Sequence, residues 1–283
     1  MGNSFKNISV VIVSYNSADV VGDALDSVKN FESIFVVDNN SSDNTSNLVK
    51  QNFPKVNFIQ NDSNLGFGAA NNIALEKIKT KYALLLNPDA TIEEDDILKL
   101  LEAADTYSDA AIISPILVDE GGSSRQNYKR NVFNREKRRS KYIEPEGDLC
   151  AEYIPAAVWL LNMENMKKVG FFDPEIFLFY EDDDLCLRAR EAGYSCVVVP
   201  AAKAVHKQGA SSGGKGEGIK QQHMIKSRLY MERKYKGGSA VLSIKMFFSF
   251  FIKLALYSAS LNRKKSARYF NRIVALMSYN LKS

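Results

Sequence analysis

Cysteine is scarce in this chain: Cys150, Cys186 and Cys196 are the only three, an odd number without metal-type spacing. They argue against a disulfide framework and read as reduced cytosolic thiols. Met1 leads almost directly into a strand-like run, so no secretory leader is expected and the protein is placed in the cytoplasm. No charge-free apolar run reaches the roughly 18 residues of a spanning helix. No segment repeats. The first strand lacks the Gly-rich, Lys- or Arg-bearing loop of a nucleotidyltransferase; Ser14-Tyr15-Asn16-Ser17 stands there instead. Acidic residues are almost missing from the last part of the chain. Residues 203–283 hold 17 Lys/Arg and 2 Asp/Glu, a local +15, against −11 for residues 1–202. Such a split implies an anionic partner for the tail, a membrane or a nucleic acid. The tail also lacks interleaved base-stacking motifs, so no nucleic acid is expected.

What is present is ordinary in amount and particular in order. At 283 residues, 45% hydrophobic and 25% charged, the chain can bury one large α/β core. Ile8–Ser14 is a continuous β-branched run suited to a strand buried on both faces, after which Asn16 or Ser17 caps a helix to about Asn30. Ser33–Asp38, Val56–Gln60, Tyr82–Leu86 and Ala110–Val118 read as further strands. Helices are expected at Ala69–Lys79 and Glu93–Tyr107. Strands alternating with helices predict a mostly parallel central sheet flanked by helices, with ligands at the carboxyl ends of the strands. A long basic loop follows at residues 125–141, then an apolar block, Tyr153–Met163, in which Trp159 reads as core or pocket wall. The acidic run Glu181-Asp182-Asp183-Asp184 opens a helix, Leu185–Ala192, closed by Gly193. Val197–Val199 reads as a last strand. A Gly/Ser/Lys linker (Gly209–Gly218) precedes a helical, basic extension.

Three clusters carry chemistry. Ser14, Tyr15, Asn16, Asp38 and the turn Asn64-Leu65-Gly66-Phe67-Gly68 lie where nucleotides bind in such sheets, and glycines there allow close backbone approach. The same residues also serve ordinary turns. Asn87-Pro88-Asp89 offers a carboxylate for a hard cation, or an Asn-Pro turn with a helix cap. The run at 181–184 crowds like charges, which raises pKa values against the pull of a helix N-terminus. Local helix chemistry accounts for Asp183 and Asp184, the latter through an ion pair with Arg188. His206 is a metal or diphosphate ligand or a structural histidine.

In this order the motifs resemble family 2 glycosyltransferases. They are Val11-Ile12-Val13-Ser14-Tyr15-Asn16, Val36-Val37-Asp38-Asn39-Asn40-Ser41-Ser42-Asp43, Asn64-Leu65-Gly66-Phe67-Gly68-Ala69-Ala70-Asn71-Asn72, Leu84-Leu85-Leu86-Asn87-Pro88-Asp89 and Phe179-Tyr180-Glu181-Asp182-Asp183-Asp184-Leu185. The likeness is nearest to bacterial rhamnosyltransferases of surface polysaccharide synthesis, and it spans about residues 7–210. It implies a GT-A-like fold and transfer with inversion from a nucleotide-sugar donor, dTDP-rhamnose or a UDP-sugar, to a saccharide acceptor, lipid-linked in such pathways. By position Asp38 matches the nucleobase contact. Asp89 matches the second acid of the Asp-x-Asp metal motif for Mg²⁺ or Mn²⁺. Asp182 matches the catalytic base, with Glu181 beside it, and His206 lies near the diphosphate. Asn87 replaces the first acid of the motif and removes a charge. Ala156-Ala157 stands where many relatives carry Gly-Ala.

The expected organisation is therefore a catalytic domain over 1–210, with a donor half to about 118 and an acceptor half over 119–210, then a linker and tail over 211–283. Within the tail Ser239–Leu261 is apolar except for a stripe of Lys245, Ser249, Lys253 and Ser260. With the following cations it predicts a helix lying on an anionic membrane surface, the enzyme peripheral to the inner face of the cell membrane. Packing on the catalytic domain or a dimer contact is the alternative.

Overall fold

All seven residues of the first strand, Ile8–Ser14, are buried. Val10 and Ile12 point into one apolar cluster and Val11 and Val13 into another, the period-2 alternation of a strand covered on both faces. The computed structural model describes residues 4–124, 145–207 and 217–280. The basic loop at 125–141 and most of the Gly/Ser/Lys linker lie outside them.

The described strands are β1 (Ile8–Ser14), β2 (Ile34–Asp38), β3 (Asn57–Gln60), β4 (Tyr82–Leu86), β5 (Ala90–Ile92), β6 (Ala110–Val118), β7 (Leu149–Cys150), β8 (Val158–Asn162) and β9 (Ser195–His206). The helices are α1 (Val21–Ser27), α2 (Thr45–Asn52), α3 (Phe67–Leu75), α4 (Glu94–Thr106), α5 (Met163–Val169), α6 (Glu181–Glu191), α7 (Glu217–Lys236), α8 (Ala240–Ala259) and α9 (Arg263–Asn280). The sheet order is β3-β2-β1-β4-β8-β6-β9-β5, with β7 beside β9. β5, β7 and β8 run against the other strands. The sheet is thus mostly parallel, as the alternation of elements implied. Helices α1 and α4 cover one face and α3, α5 and α6 the other.

Three local differences from the sequence reading have physical causes. Helix α1 begins at Val21, because Asn16 and Ser17 are spent on the neighbouring loop. The Asn16 side chain accepts from the Ser42 amide (2.8 Å), and Ser17 Oγ is engaged with the backbone of Tyr15 (3.3 Å). Asn16 itself takes a left-handed φ of 50°, which a helix cap does not use. Helix α5 went unread. Asn162 caps it, accepting from the amides of Glu164 (3.1 Å) and Asn165 (3.3 Å), and Gly170 closes it at φ 84°. The last strand does not stop at Val199. Its ladder with β6 skips between Pro115↔Val199 and Ile116↔Lys203, so the strand passes Pro200 in a bulge and continues to His206.

The chain forms two units: Met1–Asp173 with Asp182–Gly213, and Pro174–Glu181 with Gly214–Ser283. The expected boundary near residue 210 omitted the stretch Pro174–Glu181, which groups with the C-terminal helices. Inside that second unit the Phe177 ring stacks on His223 at 4.2 Å and Ser227 Oγ donates to the Leu178 carbonyl at 2.9 Å. Its own core is small: Ile225 and Leu229 of α7, Met246 and Phe250 of α8, and Ile273, Ala275 and Leu276 of α9. Opposite this core α8 exposes Val241, Ile244, Phe247, Phe248, Phe251, Ile252 and Leu256. By length and composition α8 is long and apolar enough to cross a membrane. That amends the expectation drawn from charge-free runs, since only Lys245 and Lys253 interrupt it.

Candidate active site

Parallel pairing brings the ends of β1, β2 and β4 to one edge of the sheet, and with them Ser14, Asp38 and Asn87. β8 runs the other way and so begins at that edge, where the Asn87 amide donates to the Ala157 carbonyl at 2.9 Å. β9 ends there at His206. One edge therefore collects residues that lie far apart in the chain.

Asp38 is fully buried and accepts five hydrogen bonds. They come from Ser14 Oγ (2.9 Å), the Ser41 amide (2.9 Å), Ser41 Oγ (2.6 Å), Ser46 Oγ (3.2 Å) and Gln60 Nε2 (2.7 Å). A carboxylate offers about four lone-pair sites, so this one is saturated. A further hydrogen-bond donor has to displace one of these five, and exposed Gln60 is the one with room to swing. Asn16 Oδ1 accepts from the Ser42 amide (2.8 Å), which joins the first loop to the second. Asp43 finishes that joint. Burial alone would raise its carboxyl, but hydrogen bonds from Thr45 and Ala18 outweigh burial and hold it below the usual value. Tyr15 projects from the network, 44% exposed.

Sequence reasoning passed over Asn39 as a joint. Its side chain donates to the Gly66 carbonyl (3.0 Å) and accepts from the Leu65 amide (3.1 Å) and Asn61 Nδ2 (3.0 Å). It ties the glycine turn to the end of β2. Asn64 Oδ1 in turn accepts from the Gly66 amide at 2.9 Å, and Gly66 needs its φ of 86° to start α3 at Phe67. Gly68 has a different reason from the ligand approach expected of it. A Cβ there would lie 2.8 Å from the Phe172 side chain. Phe172 stacks on buried Trp159 (6.1 Å) and meets Phe67 edge-on (5.8 Å), so Gly68 is small for packing and Trp159 is core. Asn72 fixes the same residue from both sides, donating to the Phe172 carbonyl (2.8 Å) and accepting from its amide (3.0 Å).

Asp89 is 4% exposed and does not cap a helix, because β5 intervenes before α4. The antiparallel register Ala90↔His206 sets His206 beside it, Nε2 3.2 Å from Asp89 Oδ1. The bulge at Pro200 is what delivers His206 to this register. Among the described residues no three His, Cys, Asp or Glu side chains cluster as a complete metal site. One carboxylate and one imidazole at this spacing suit a divalent cation whose shell is finished by ligand oxygens and water.

The acidic run forms the first turn of α6. Asp183 and Asp184 are fully buried, Glu181 is nearly so, and Asp182 alone is half-buried. Asp184 pairs with Arg188 (2.8 Å), and the same guanidinium donates to the carbonyls of Val169 (3.1 Å), Gly170 (3.1 Å) and Phe171 (2.5 Å). This clasp of one carboxylate and three carbonyls on a single guanidinium anchors α6 to the segment that carries Phe172. Asp182 Oδ2 accepts from Tyr153 Oη at 2.7 Å and its Oδ1 from the Asp183 amide at 3.0 Å. Just before the run, Phe179 (φ 65°) and Tyr180 (φ 72°) both hold left-handed backbone, which costs roughly 1–2 kcal/mol per residue. Tyr153 carries no motif signal of its own; its distant partner reveals it.

A cavity of about 290 Å³ lined by Asp109, Cys150, Arg190, Tyr194 and Cys196 opens where β6 and β9 begin. That is the opposite edge of the sheet, and it contains none of the expected site residues.

The sequence profile of glycosyl transferase family 2 matches residues 9–158. The N-acetylglucosaminyl-diphospho-decaprenol L-rhamnosyltransferase of Mycobacterium tuberculosis is 24% identical over 72% of this chain and 76% of its own length. The rhamnosyltransferase WbbL of Escherichia coli is 26% identical over 70% of this chain and 83% of its own. Among solved structures, the mannosyltransferase PcManGT of Pyrobaculum calidifontis, in complex with GDP-mannose and Mn²⁺, superposes with a TM-score of 0.57. It shares 14% identity and covers 99% of this chain and 88% of its own. GalNAc-T7 with UDP, GalNAc and Mn²⁺ gives a TM-score of 0.58 at 15% identity, over 80% of this chain and 48% of its own. These likenesses establish a GT-A-like fold.

Proposed function

The chain belongs to glycosyl transferase family 2 and is a glycosyltransferase; from that premise we propose that it inverts the anomeric carbon in a single displacement with Asp182 as base. The observation that carries this is the exposure of one carboxylate in a buried acidic turn. Asp183 and Asp184 are sealed in the fold, whereas Asp182 faces solvent. In the step, Asp182 takes the proton of the acceptor hydroxyl. The acceptor oxygen bonds to the anomeric carbon as the sugar–phosphate bond breaks, and its electron pair leaves with the nucleoside diphosphate. Glu181, nearly buried, is the lesser choice of base.

The donor meets Ser14, Tyr15, Asn16, Asp38, Asn64, Gly66, Phe67 and Asn87, with Gln60 yielding its place on Asp38 to the base. Asp89 and His206 would hold Mg²⁺ or Mn²⁺, which when bound offsets charge on the leaving diphosphate. Asn87 in place of an acid leaves that site weak until donor oxygens complete it. The named relatives transfer rhamnose, one of them to a diphospho-decaprenol acceptor. A dTDP-rhamnose or UDP-sugar donor and a lipid-linked saccharide acceptor follow by analogy. The exposed apolar face of α8 and the cations around it support a peripheral place on the inner face of an anionic membrane.

Asp182→Asn is expected to lower kcat by about 10²-fold or more while leaving donor protection against thermal unfolding intact. Near-normal turnover would transfer the role to Glu181. Exhaustive chelation is expected to abolish transfer, and full activity without metal would leave His206 and basic residues to neutralise the diphosphate.

A further inference from the structure

We propose that Tyr153 is a positioning residue for the reaction, fixing the orientation of the Asp182 carboxylate toward the acceptor; this rests on the reading of Asp182 as base. Tyr153 lies in the connection between β7 and β8, 29 residues before its partner, and its side chain is 6% exposed. A buried ring with two rotatable bonds holds its hydroxyl at a fixed point. From there Oη donates to Asp182 Oδ2 at 2.7 Å, the short distance of a phenol bonded to a carboxylate. The Asp183 amide holds Oδ1 at 3.0 Å from within the helix. Two donors from different elements stop the carboxylate from rotating about its own bond.

The phenol also acts on the proton equilibrium. A hydrogen bond donated to a carboxylate favours its charged form over the protonated one, so removing the Tyr153 donor is felt in the pH dependence of turnover. Titratable groups beside Asp182 include its chain neighbours Glu181, Asp183 and Asp184, the Tyr153 phenol, and Cys186. Burial and the hydrogen bond with Cys196 hold the Cys186 thiol far up, and the charge of Asp182 adds to that. Cys186 is therefore no competitor for the proton.

Tyr153→Phe keeps the ring and removes the donor. It is expected to lower kcat about tenfold, to leave the donor KM unchanged, and to move the acid limb of the kcat profile up by about one pH unit. Carboxyl ¹³C titration of aspartate-labelled protein, with the signal assigned by Asp182→Asn, reads the same shift without substrate. An unmoved titration in Tyr153→Phe overturns the inference and leaves the base reading standing, whereas normal turnover in Asp182→Asn removes that reading itself. Should Tyr153→Phe fail to fold, 3-fluorotyrosine placed at 153 is a stronger donor of nearly the same size. It is expected to move the limb down, and no movement overturns the proposal.

Discussion

The sheet unit and the helical unit spend their apolar residues in opposite ways. In the sheet unit, strands such as β1, β4 and β6 are buried along their whole length between two helical layers. In the helical unit, α8 commits Met246 and Phe250 to a small core and leaves Phe247, Phe248, Phe251 and Ile252 in the open. Phe248 is 62% exposed. A soluble fold rarely leaves such a contiguous apolar face without a use for it. The contrast separates residues that hold the fold from residues available to a second surface.

The strongest way to break that contrast is a matched pair of truncations. Trp159→Ala removes a fully buried ring stacked on Phe172 and is expected to cost about 3–5 kcal/mol in urea unfolding. Phe248→Ala is expected to cost less than about 0.5 kcal/mol. Equal losses would show that α8 belongs to the folded core.

Next in size is truncation after Gly237. It leaves α7 without Met246, Phe250, Ile273 and Leu276, and α7 is what grips Phe177 and Leu178 just ahead of the acidic run. Donor protection is expected to survive, because the donor residues all lie in the sheet unit. Turnover is expected to fall by as much as about 10²-fold, the effect of a misplaced catalytic group. Unchanged turnover would show that the stretch Pro174–Glu181 holds its strained shape unaided.

On anionic vesicles, Phe248→Ser is expected to weaken binding about tenfold, with salt weakening the wild type further. An interfacial α8 is released by an alkaline wash, and retention would make it a spanning helix.

The smallest effect is one of pH. Burial, with help from Lys226, holds the His223 imidazole below its ordinary value. Its folded pKa is thus depressed. The unfolded chain gains a proton below about pH 6.5 that the folded unit resists, so stability falls as pH drops through that range. Thermal unfolding between pH 7.5 and 5 is expected to show a larger loss in the wild type than in His223→Gln.

Much of this molecule was legible before any coordinates. β4 and β6 have the bounds their apolar runs imply, and the order of five motifs leads to the family. Site geometry was harder to read. His206 looked like a residue beyond a finished strand, since Pro200 ends the local ladder signal; only the partner strand β6 carries the chain past it. Asp184 was readable from its i+4 arginine, but the three carbonyls on that arginine come from another element. Tyr153 gave no signal, because Asp182, which its hydroxyl meets, lies 29 residues away.

Local sequence determined what depends on neighbours in the chain: the buried strands, the turn at Gly66, the acidic first turn of α6 and the positive tail. Tertiary structure decided what depends on register and packing. It selected which acid of four stays only half-buried, that Gly68 is small to admit Phe172, that Asp89 meets His206, and that Pro174–Glu181 belongs with the C-terminal helices. The reason is physical. Propensity and charge act over one or two turns of chain, whereas a strand register or a buried hydrogen bond is set by the partner across the sheet, at no fixed distance in sequence.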